Sequence, residues 1–364
     1  MGLYIGLMSG TSLDGVDGVL AQFNKHGVPR VLNTASHALP TSLRDELLAL
    51  NSPGHNEIHR SALAANSLSD VYADVVQDLL TQVQRPASDI TALGAHGQTI
   101  RHRPDLGYST QLLAPARLAE RTGIAVVADL RSRDVAAGGH GAPLVPAFHH
   151  AVFGRDTARV ILNLGGMANV TLLRPGQPVI GFDTGPANVL LDLWCARHHH
   201  EPFDANGDWA AQGSINETLL GELLQSEPWF NTPAPKSTGR DQFNAQWLDG
   251  RLANWKSLPP ADIQATLAAL TALTVADALA GADAGDLPVF VFGGGARNAY
   301  LMSRLELALG QTVQTTQALG IDTQDMEALA FAWLAWAHIN KNAGNLPEVT
   351  GAIGKRVLGA YWPA

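Results

Sequence analysis

The sequence predicts an α/β protein of two related lobes. Its 364 residues are more than one hydrophobic core usually serves. Each half opens on an apolar strand, a glycine-bounded turn and a returning strand, at residues 3–23 and 160–173, and then mixes strands with helices. The repeat is one of structure and is not obvious in the letters of the sequence. It favours two α/β lobes over a single doubly wound sheet.

The elements of the first half follow from local patterns. We predict strands at residues 3–8, 15–23, 31–37, 90–95 and 124–128, and helices at 43–50, 58–83 and 115–122. The long helix depends on apolar residues at helical spacing, from Leu63 to Leu79. The glycine-rich stretch at 136–142 breaks all periodicity, which is typical of a junction between lobes.

The second half is interpreted in the same way. We predict strands at residues 160–164, 170–173, 179–182 and 289–292, and helices from Pro186, at 264–279, at 298–309 and at 327–340. The strand at 179–182 is expected to end at Asp183. We expect residues 1–130 and 341–364 to form the N-terminal lobe and residues 131–340 to form the C-terminal lobe.

The composition narrows the class of function. The net charge is −9, and the 24 Lys and Arg residues form no dense run, which argues against nucleic acid as a partner. Cys195 is the only cysteine, so we expect neither an intrachain disulfide nor a thiolate metal site. No basic segment precedes the short apolar start, and the longest apolar run, 328–339, is too short to span a bilayer. We therefore expect a cytoplasmic protein without a membrane partner.

The first glycine turn combines donors and carboxylates. Thr11 and Ser12 supply hydroxyls, Asp14 and Asp17 supply carboxylates, and the glycines expose backbone amides. Hydroxyls and bare amides bind phosphate oxygens, and carboxylates hold Mg²⁺ directly or through water. We therefore predict that the turn binds phosphates through Gly10, Thr11, Ser12, Leu13, Asp14, Gly15, Val16 and Asp17. It is not a Walker A loop, because Val16 and Asp17 stand where Lys and Ser or Thr are required. The alternative is a hairpin turn that merely needs glycine.

Two further glycine turns are weaker signals. Asn163, Gly165 and Gly166 form a second hairpin turn in a similar place, so two hairpins could clamp a triphosphate. Gly293, Gly294, Gly295 and Asn298 close a strand and open a helix, which would let an adenosine lie on the backbone. The spacing does not match a dinucleotide-binding fingerprint. A tight strand-to-helix turn is an equally good interpretation of residues 293–298.

Two acidic residues are candidates for catalysis. Asp183 follows a strand and precedes a helix, a rigid position that suits a general base. Its alternative role is a helix N-cap, but it lies three residues before Pro186, too early for the simplest cap. Glu327 opens an apolar helix, where an acidic residue also complements the helix dipole. The histidines, including the run 198–200, lack the spacing of a zinc site.

Several motifs together resemble the anhydro-N-acetylmuramic acid kinase family. They are residues 6–17, 94–99, 127–131, 164–169, 181–188 and 292–298, in the family's order over nearly the whole chain. The resemblance implies a two-lobed actin/hexokinase-like (ribonuclease H-like) fold with a central nucleotide cleft. Most sugar kinases of that superfamily carry Asp at the start of the first hairpin, whereas this chain has Met8 and Ser9, so the Mg²⁺ ligands stay open.

The resemblance also implies a reaction and its site. ATP and water would convert 1,6-anhydro-N-acetylmuramic acid to N-acetylmuramic acid 6-phosphate, with ATP and Mg²⁺ as cofactors and a homodimer as the assembly. Asp183 would activate the water, Glu327 would assist at the sugar, and Arg131 would bind the lactyl carboxylate. The sugar pocket would also include His96, Gln98 and Thr99. The alternatives are a kinase for an ordinary free sugar, a non-catalytic ATP-gated binding protein and a metal-dependent hydrolase.

Overall fold

The computed structural model describes residues 2–10, 13–154 and 156–364. The chain forms two compact units, Met1–Arg155 with Asp325–Ala364, and Asp156–Gln324. Within the described residues the strands are β1 (Gly2–Met8), β2 (Gly15–Phe23), β3 (Pro29–Ala38), β4 (Ile90–Ala95), β5 (Gln98–Arg103), β6 (Tyr108–Leu112), β7 (Val126–Ala128), β8 (Arg159–Leu164), β9 (Met167–Leu173), β10 (Ile180–Pro186), β11 (Val289–Phe292), β12 (Gln314–Thr315) and β13 (Ala360–Trp362).

Both units contain helices, and short 3₁₀ turns join several elements. In the same described residues they are α1 (Thr41–Ala49), α2 (Glu57–Val83), α3 (Pro115–Thr122), α4 (Ser132–Ala136), α5 (Val145–Phe153), α6 (Asn188–His199), α7 (Glu217–Gln225), α8 (Ala245–Arg251), α9 (Pro260–Gly281), α10 (Ala299–Leu309), α11 (Met326–Ile339) and α12 (Pro347–Thr350). The long helix and the first hairpin agree with the sequence prediction. Helices α4, α5, α7, α8 and α12 were not predicted, because these short segments carry no clear apolar period.

The two units share one sheet plan. The main sheet of the first unit has the order β13-β7-β4-β1-β2-β3, and that of the second has the order β10-β9-β8-β11-β12. In both, three antiparallel strands (β1–β3 or β8–β10) form a meander whose first strand pairs in parallel with a later strand. A further parallel strand, β7 or β12, follows on that side. The predicted pair of related α/β lobes is therefore confirmed.

The boundaries of the units differ from the predicted ones. Residues 131–154 and 325–340 belong to the first unit, although we expected them in the second. Helix α11 explains the difference, because it packs on β1, β2 and β4 and also contacts α5. Eleven of its residues are buried, from Met326 to Ala337. A helix that is apolar on nearly all sides belongs to the sheet it covers, whatever its place in the sequence.

Two glycines let α11 approach its sheet. Gly6 of β1 and Gly94 of β4 are register partners on neighbouring parallel strands. A Cβ on Gly6 would overlap the carbonyl of Ala328, and one on Gly94 would overlap the carbonyl of Phe331. Because no side chain intervenes, the backbone of the helix lies directly on the sheet. The first turn of α11, which carries Glu327, is fixed by this contact.

The second unit is built around α9. This helix is long and apolar enough to cross a membrane, but 72% of its most apolar window is buried. Residues from Ile263 to Leu279 belong to a core that also includes the inward side chains of β8, β9 and β11. Its apolar length therefore reflects its central place in that core. The expected absence of a membrane partner stays a prediction.

Candidate active site

Among its described residues, the turn between β1 and β2 has few side chains that could face a phosphate. Thr11 and Ser12 lie outside the described residues. Leu13 and Val16 are buried in the core at 1% and 0% exposure, so only their backbone could reach a ligand. Asp14 is exposed and its Oδ1 accepts a 3.0 Å hydrogen bond from the Gly15 amide. The next outward side chain on β2 is Asp17. The two carboxylates predicted for this turn are therefore on its surface.

Ser9 holds this turn to the segment after β4. The hydroxyls of Ser9 and Tyr72 are 3.0 Å apart, and Ser9 Oγ also lies 3.2 Å from the Gly97 carbonyl. The amide of His96 donates to the Leu7 carbonyl at 3.0 Å. Burial raises the pKa of Tyr72, so its phenol stays protonated and able to donate. The predicted phosphate turn and the predicted sugar residue His96 are thus brought together within the first unit.

His96 and Arg131 form a pair whose protonation is fixed. Arg131 Nη2 lies 2.8 Å from His96 Nε2 and its Nη1 donates to the Gly141 carbonyl at 2.7 Å. Because guanidinium only donates, His96 Nε2 must accept and its Nδ1 must carry the proton. Burial, with the Arg131 charge, lowers the pKa of His96 to about 3. His96 is therefore neutral near pH 7 and does not act there as a general acid.

Arg131 keeps donors for a ligand. Burial lowers its pKa to about 10, partly offset by Glu327 and Asp134, so it stays cationic near pH 7. His96 and Gly141 take three of its five N–H groups. No described residue accepts a hydrogen bond from the other two N–H groups. A half-buried cation with two spare donors can bind a carboxylate.

Asp134 was missed by the sequence analysis. Its side chain is fully buried, and its Oδ2 accepts a 2.8 Å hydrogen bond from the Gly141 amide. Its Oδ1 accepts from Asn345 at 2.6 Å and from Thr350 at 2.8 Å. The carbonyl of the same Gly141 holds Arg131. Asp134 therefore joins the glycine-rich stretch to the C-terminal segment and fixes the acceptor on which Arg131 rests. The signal available in the sequence was the run Gly-Gly-His-Gly at residues 138–141, which follows Asp134 closely.

Glu327 lies near the same group of residues. Burial raises the pKa of its carboxyl, and the charges of Asp17 and Asp14 raise it further, whereas Arg131 lowers it. No described residue donates a hydrogen bond to its carboxylate. The first turn of α11 therefore presents an acceptor that a bound ligand can satisfy.

Gln98 and Thr99 begin β5, directly after the His96 segment. Gln98 is 2% exposed, and no described residue donates to its buried Oε1. An unpartnered buried amide oxygen is costly unless a ligand or water satisfies it. Thr99 Oγ1 accepts a 3.1 Å hydrogen bond from Gln111. Of the two, Gln98 has the feature expected of a binding residue.

Asp183 lies inside a strand and not at its end. Strand β10 continues to Pro186, with a register shift between Asp183 and Gly185 opposite β9. A bulge of this kind redirects a side chain without ending the sheet. The prediction that the strand stops at Asp183 was wrong, and the cause is this bulge. The position is nevertheless rigid, because the Asp183 amide donates to the Lys236 carbonyl at 3.0 Å.

A loop that the sequence analysis missed holds the Asp183 carboxylate. Ser237 Oγ donates to Asp183 Oδ2 at 3.0 Å, and the Thr238 amide donates to the same oxygen at 2.9 Å. Burial raises the pKa of Asp183, whereas these two donors and the Lys236 charge lower it. The carboxylate is thus desolvated and held through one oxygen. The signal in the sequence was the polar run 236–241 after a proline-rich segment.

The two glycine turns of the second unit are neighbours. Asn188 Nδ2 donates to the carbonyls of Leu164 and Gly165, both at 2.9 Å. A Cβ on Gly293 would lie 2.5 Å from Asn163 Oδ1, and one on Gly295 would lie 2.6 Å from Leu164 Cβ. Gly293 also has φ +86°, which favours glycine. The structure therefore brings the predicted residues Asn163, Gly165, Gly166 and Gly293–Gly295 together, with Gly294 between the two tight positions.

Asn298 has a structural role that the sequence analysis did not consider. Its Oδ1 accepts a 2.9 Å hydrogen bond from the Leu301 amide and so caps α10. Its role at the nucleotide stays a prediction. Within the described part of the chain, no group of three or more His, Cys, Asp or Glu residues could hold a metal ion.

Comparisons of the sequence with known proteins agree on one family. A model of the anhydro-N-acetylmuramic acid kinase family matches residues 2–364. Proteins of that name from Bordetella petrii and Chromobacterium violaceum are 59% and 51% identical, covering 100% and 99% of this chain and 96% and 99% of theirs.

Among solved structures, the fold is similar to two dehydratase components. One is the activator of 2-hydroxyisocaproyl-CoA dehydratase from Clostridium difficile with bound ADPNP, with a TM-score of 0.50 and 12% identity over 93% of this chain and 96% of that one. The other is component A of (R)-2-hydroxyglutaryl-CoA dehydratase from Acidaminococcus fermentans, with a TM-score of 0.50 and 13% identity over 92% and 97%. At this identity the likeness concerns the fold alone.

Proposed function

Because the chain belongs to the anhydro-N-acetylmuramic acid kinase family, we propose that Asp183 is the general base of that family's reaction. In the reaction, ATP and water convert 1,6-anhydro-N-acetylmuramic acid to N-acetylmuramic acid 6-phosphate and ADP. The acceptor oxygen O6 is tied to C1 in an acetal, so it has no proton to lose. Water must therefore supply the new group at C1, and a base must take its proton.

The bonding of Asp183 is the observation that carries this proposal. Its Oδ2 accepts from Ser237 and Thr238, which supports Oδ1 as the oxygen that takes the proton. Water oxygen bonds to C1 and passes one proton to Asp183, while the C1–O6 bond breaks. O6 then bonds to the γ-phosphorus of ATP as the bond to the ADP oxygen breaks. Burial raises the pKa of Asp183 and so makes the carboxylate a stronger base.

We assign the sugar contacts to the first unit. Arg131 binds the lactyl carboxylate through its two spare N–H groups, since guanidinium matches carboxylate geometry. Gln98 accepts a hydrogen bond from the sugar with its unpartnered Oε1. Glu327 accepts from a sugar hydroxyl, and His96 holds Arg131 in place. Thr99 is the remaining residue that we assign to the sugar pocket.

We assign the phosphates of ATP to the glycine turns. Gly10 to Asp17 and the Gly165–Gly166 turn contribute backbone amides, and residues 293–298 take the adenosine. The described residues fit Mg²⁺, because that ion needs only one or two carboxylates beside phosphate oxygens and water, and Asp14 and Asp17 lie on the first turn. Bound there, Mg²⁺ would neutralise phosphate charge.

We further propose a cytoplasmic homodimer, on the family resemblance. Light scattering after gel filtration measures the mass, and a monomer at working concentration contradicts the dimer.

Isotope labelling tests the reaction course. With ATP, the anhydro-sugar and ¹⁸O-water, the label should enter the product at C1, because water attacks that carbon. A kinase for an ordinary free sugar would transfer phosphate to an existing hydroxyl, so label would enter C1 only at the slow rate at which the anomeric oxygen exchanges with water, which N-acetylmuramic acid 6-phosphate in ¹⁸O-water without enzyme measures. Product without ¹⁸O at C1 would therefore contradict the role given to water and to Asp183.

A further inference from the structure

A chain of hydrogen bonds leads from Asp183 to a buried carboxylate of the same unit. The Thr238 hydroxyl donates to Gln242 Oε1 at 2.9 Å, and Gln242 Nε2 donates to Glu227 Oε1 at 3.1 Å. The Thr238 amide donates to Asp183. The orientation of the Gln242 amide follows from its partners, because a carboxylate can only accept from Nε2.

Glu227 is a firm anchor for this chain. It is 8% exposed, and its Oε2 accepts a 2.8 Å hydrogen bond from Trp247 Nε1. Its Oε1 also accepts from the Trp229 amide at 3.3 Å, and Arg251 lies 3.5 Å from Oε2. A buried carboxylate with several donors and a cation is held in one geometry.

Aromatic packing fixes the two ends of the intervening loop. Phe243, which follows Gln242, is fully buried and stacks on Phe230 with ring centroids 5.6 Å apart. Lys236 donates to the Phe230 carbonyl at 2.7 Å and lies over the Trp229 ring at 4.4 Å. The loop is therefore held at both ends, and inside it the Gln242 and Phe243 amides donate to the Gly239 carbonyl at 3.1 and 3.0 Å. The Thr238–Gln242 bond adds the side-chain contact that holds Thr238 to this turn.

We propose that Thr238 and Gln242 are positioning residues that hold one oxygen of Asp183 and so reserve the other for the attacking water. The hydroxyl of Thr238 does not touch the reacting atoms. Its bond to Gln242 fixes the peptide whose N–H binds Asp183 Oδ2. The bond from Gln242 to the buried Glu227 in turn holds the Gln242 side chain in place. This inference rests on the proposed role of Asp183 as the base.

The test changes the Thr238 end of this chain of hydrogen bonds and compares it with a matched bond elsewhere in the same unit. Thr238→Val removes the hydroxyl but keeps the backbone N–H, and Thr238→Ser restores a hydroxyl. Trp255→Phe is the matched control, because it removes a hydrogen bond of the same kind, from Trp255 Nε1 to Glu222 Oε2 at 2.8 Å, that is not part of this chain of hydrogen bonds. Thermal unfolding shows that each variant is folded, and Asp183→Asn serves as the reference for loss of the base.

The expected result separates positioning from stability. Thr238→Val should lower kcat about fivefold, the worth of one hydrogen bond, with both KM values unchanged. The acid limb of its kcat/KM profile should move to higher pH, because a looser Thr238 amide lowers the Asp183 pKa less. Lys236, the charged neighbour acting on Asp183 in this unit, is present in every variant. Thr238→Ser should restore both values, and Trp255→Phe should leave both at the parental level.

Two results would overturn the inference. One is a Thr238→Val enzyme with the parental kcat and acid limb, whatever its melting temperature. The other is a Trp255→Phe enzyme that loses as much kcat as Thr238→Val, since the loss would then follow from general destabilisation and not from the position of the Thr238 amide. An Asp183→Asn enzyme with the parental rate would instead contradict the base itself.

Discussion

Gly6 and Gly94 stand opposite each other on β1 and β4, and the backbone of α11 covers both. The contact decides where the first turn of α11 lies, and therefore where Glu327 lies. A structural glycine pair in the sheet thus positions a candidate site residue more than 200 positions later in the chain.

Gly94→Ala should destabilise the protein by about 1–3 kcal/mol, because the added methyl overlaps the Phe331 carbonyl and must push α11 away. The sugar KM should rise as Glu327 moves with the helix. Denaturant unfolding and steady-state kinetics measure the two effects. Gly221→Ala is the control: it lies in α7 with open space around it, and it should stabilise the helix by about 1 kcal/mol. Equal unfolding midpoints for Gly94→Ala and the parent would refute the close contact.

Gln98→Met should separate binding from stability. The change removes a buried amide oxygen that has no partner among the described residues, so unfolding free energy should stay level or rise. The KM for the anhydro-sugar should rise about three- to tenfold, with the KM for ATP unchanged, because one hydrogen bond to the sugar is lost. An unchanged sugar KM would show that Gln98 does not contact the substrate.

Asp134→Asn should weaken sugar binding through Arg131. An amide cannot accept at both of its terminal atoms, so either Gly141 or the pair Asn345 and Thr350 loses its acceptor. We expect a raised sugar KM and an unchanged ATP KM. Thr350→Val removes only the Thr350 bond to Asp134 Oδ1, and it should lower stability without raising the sugar KM. If both variants raise that KM equally, Asp134 acts through general stability and not through Gly141.

His149→Gln should change how stability depends on pH. Burial lowers the pKa of His149 to about 3, whereas the unfolded chain titrates near the ordinary value of 6.5. Between these values the unfolded state binds the extra proton, so the parent loses stability as pH falls below about 6.5. The variant lacks this loss. Its free energy of unfolding should therefore rise relative to that of the parent by about 1.4 kcal/mol for each pH unit below 6.5. Urea unfolding at pH 5.0 to 7.5 measures the difference. A difference that does not vary with pH means that His149 is not buried neutral.

The sequence predicted the pair of related α/β units because strand–turn–strand patterns and helical spacing are local properties. It did not predict that 131–154 and 325–340 join the first unit, since that depends on α11 packing against strands far away in the sequence. Asp183 was expected at a strand end because a bulge leaves no periodic trace in the letters.

The candidate site, like the fold, could be predicted only in part from the sequence. The glycine turns and Asp183 stand out as motifs, but the loop at 236–240 that holds Asp183 is irregular and carries no periodic pattern. Asp134 is one acidic residue in a short helix, and only the fold shows that Gly141, Asn345 and Thr350 meet it.

The most direct test of the central claim is the single-turnover rate of Asp183→Asn with the anhydro-sugar and ATP. Asp277→Asn, an exposed carboxylate of the same unit, is the control. Because the amide cannot take a proton from water, the rate of product formation should fall at least about 100-fold while ATP affinity, measured by calorimetry, stays at the parental value. Product formation at the parental rate by Asp183→Asn would contradict the account.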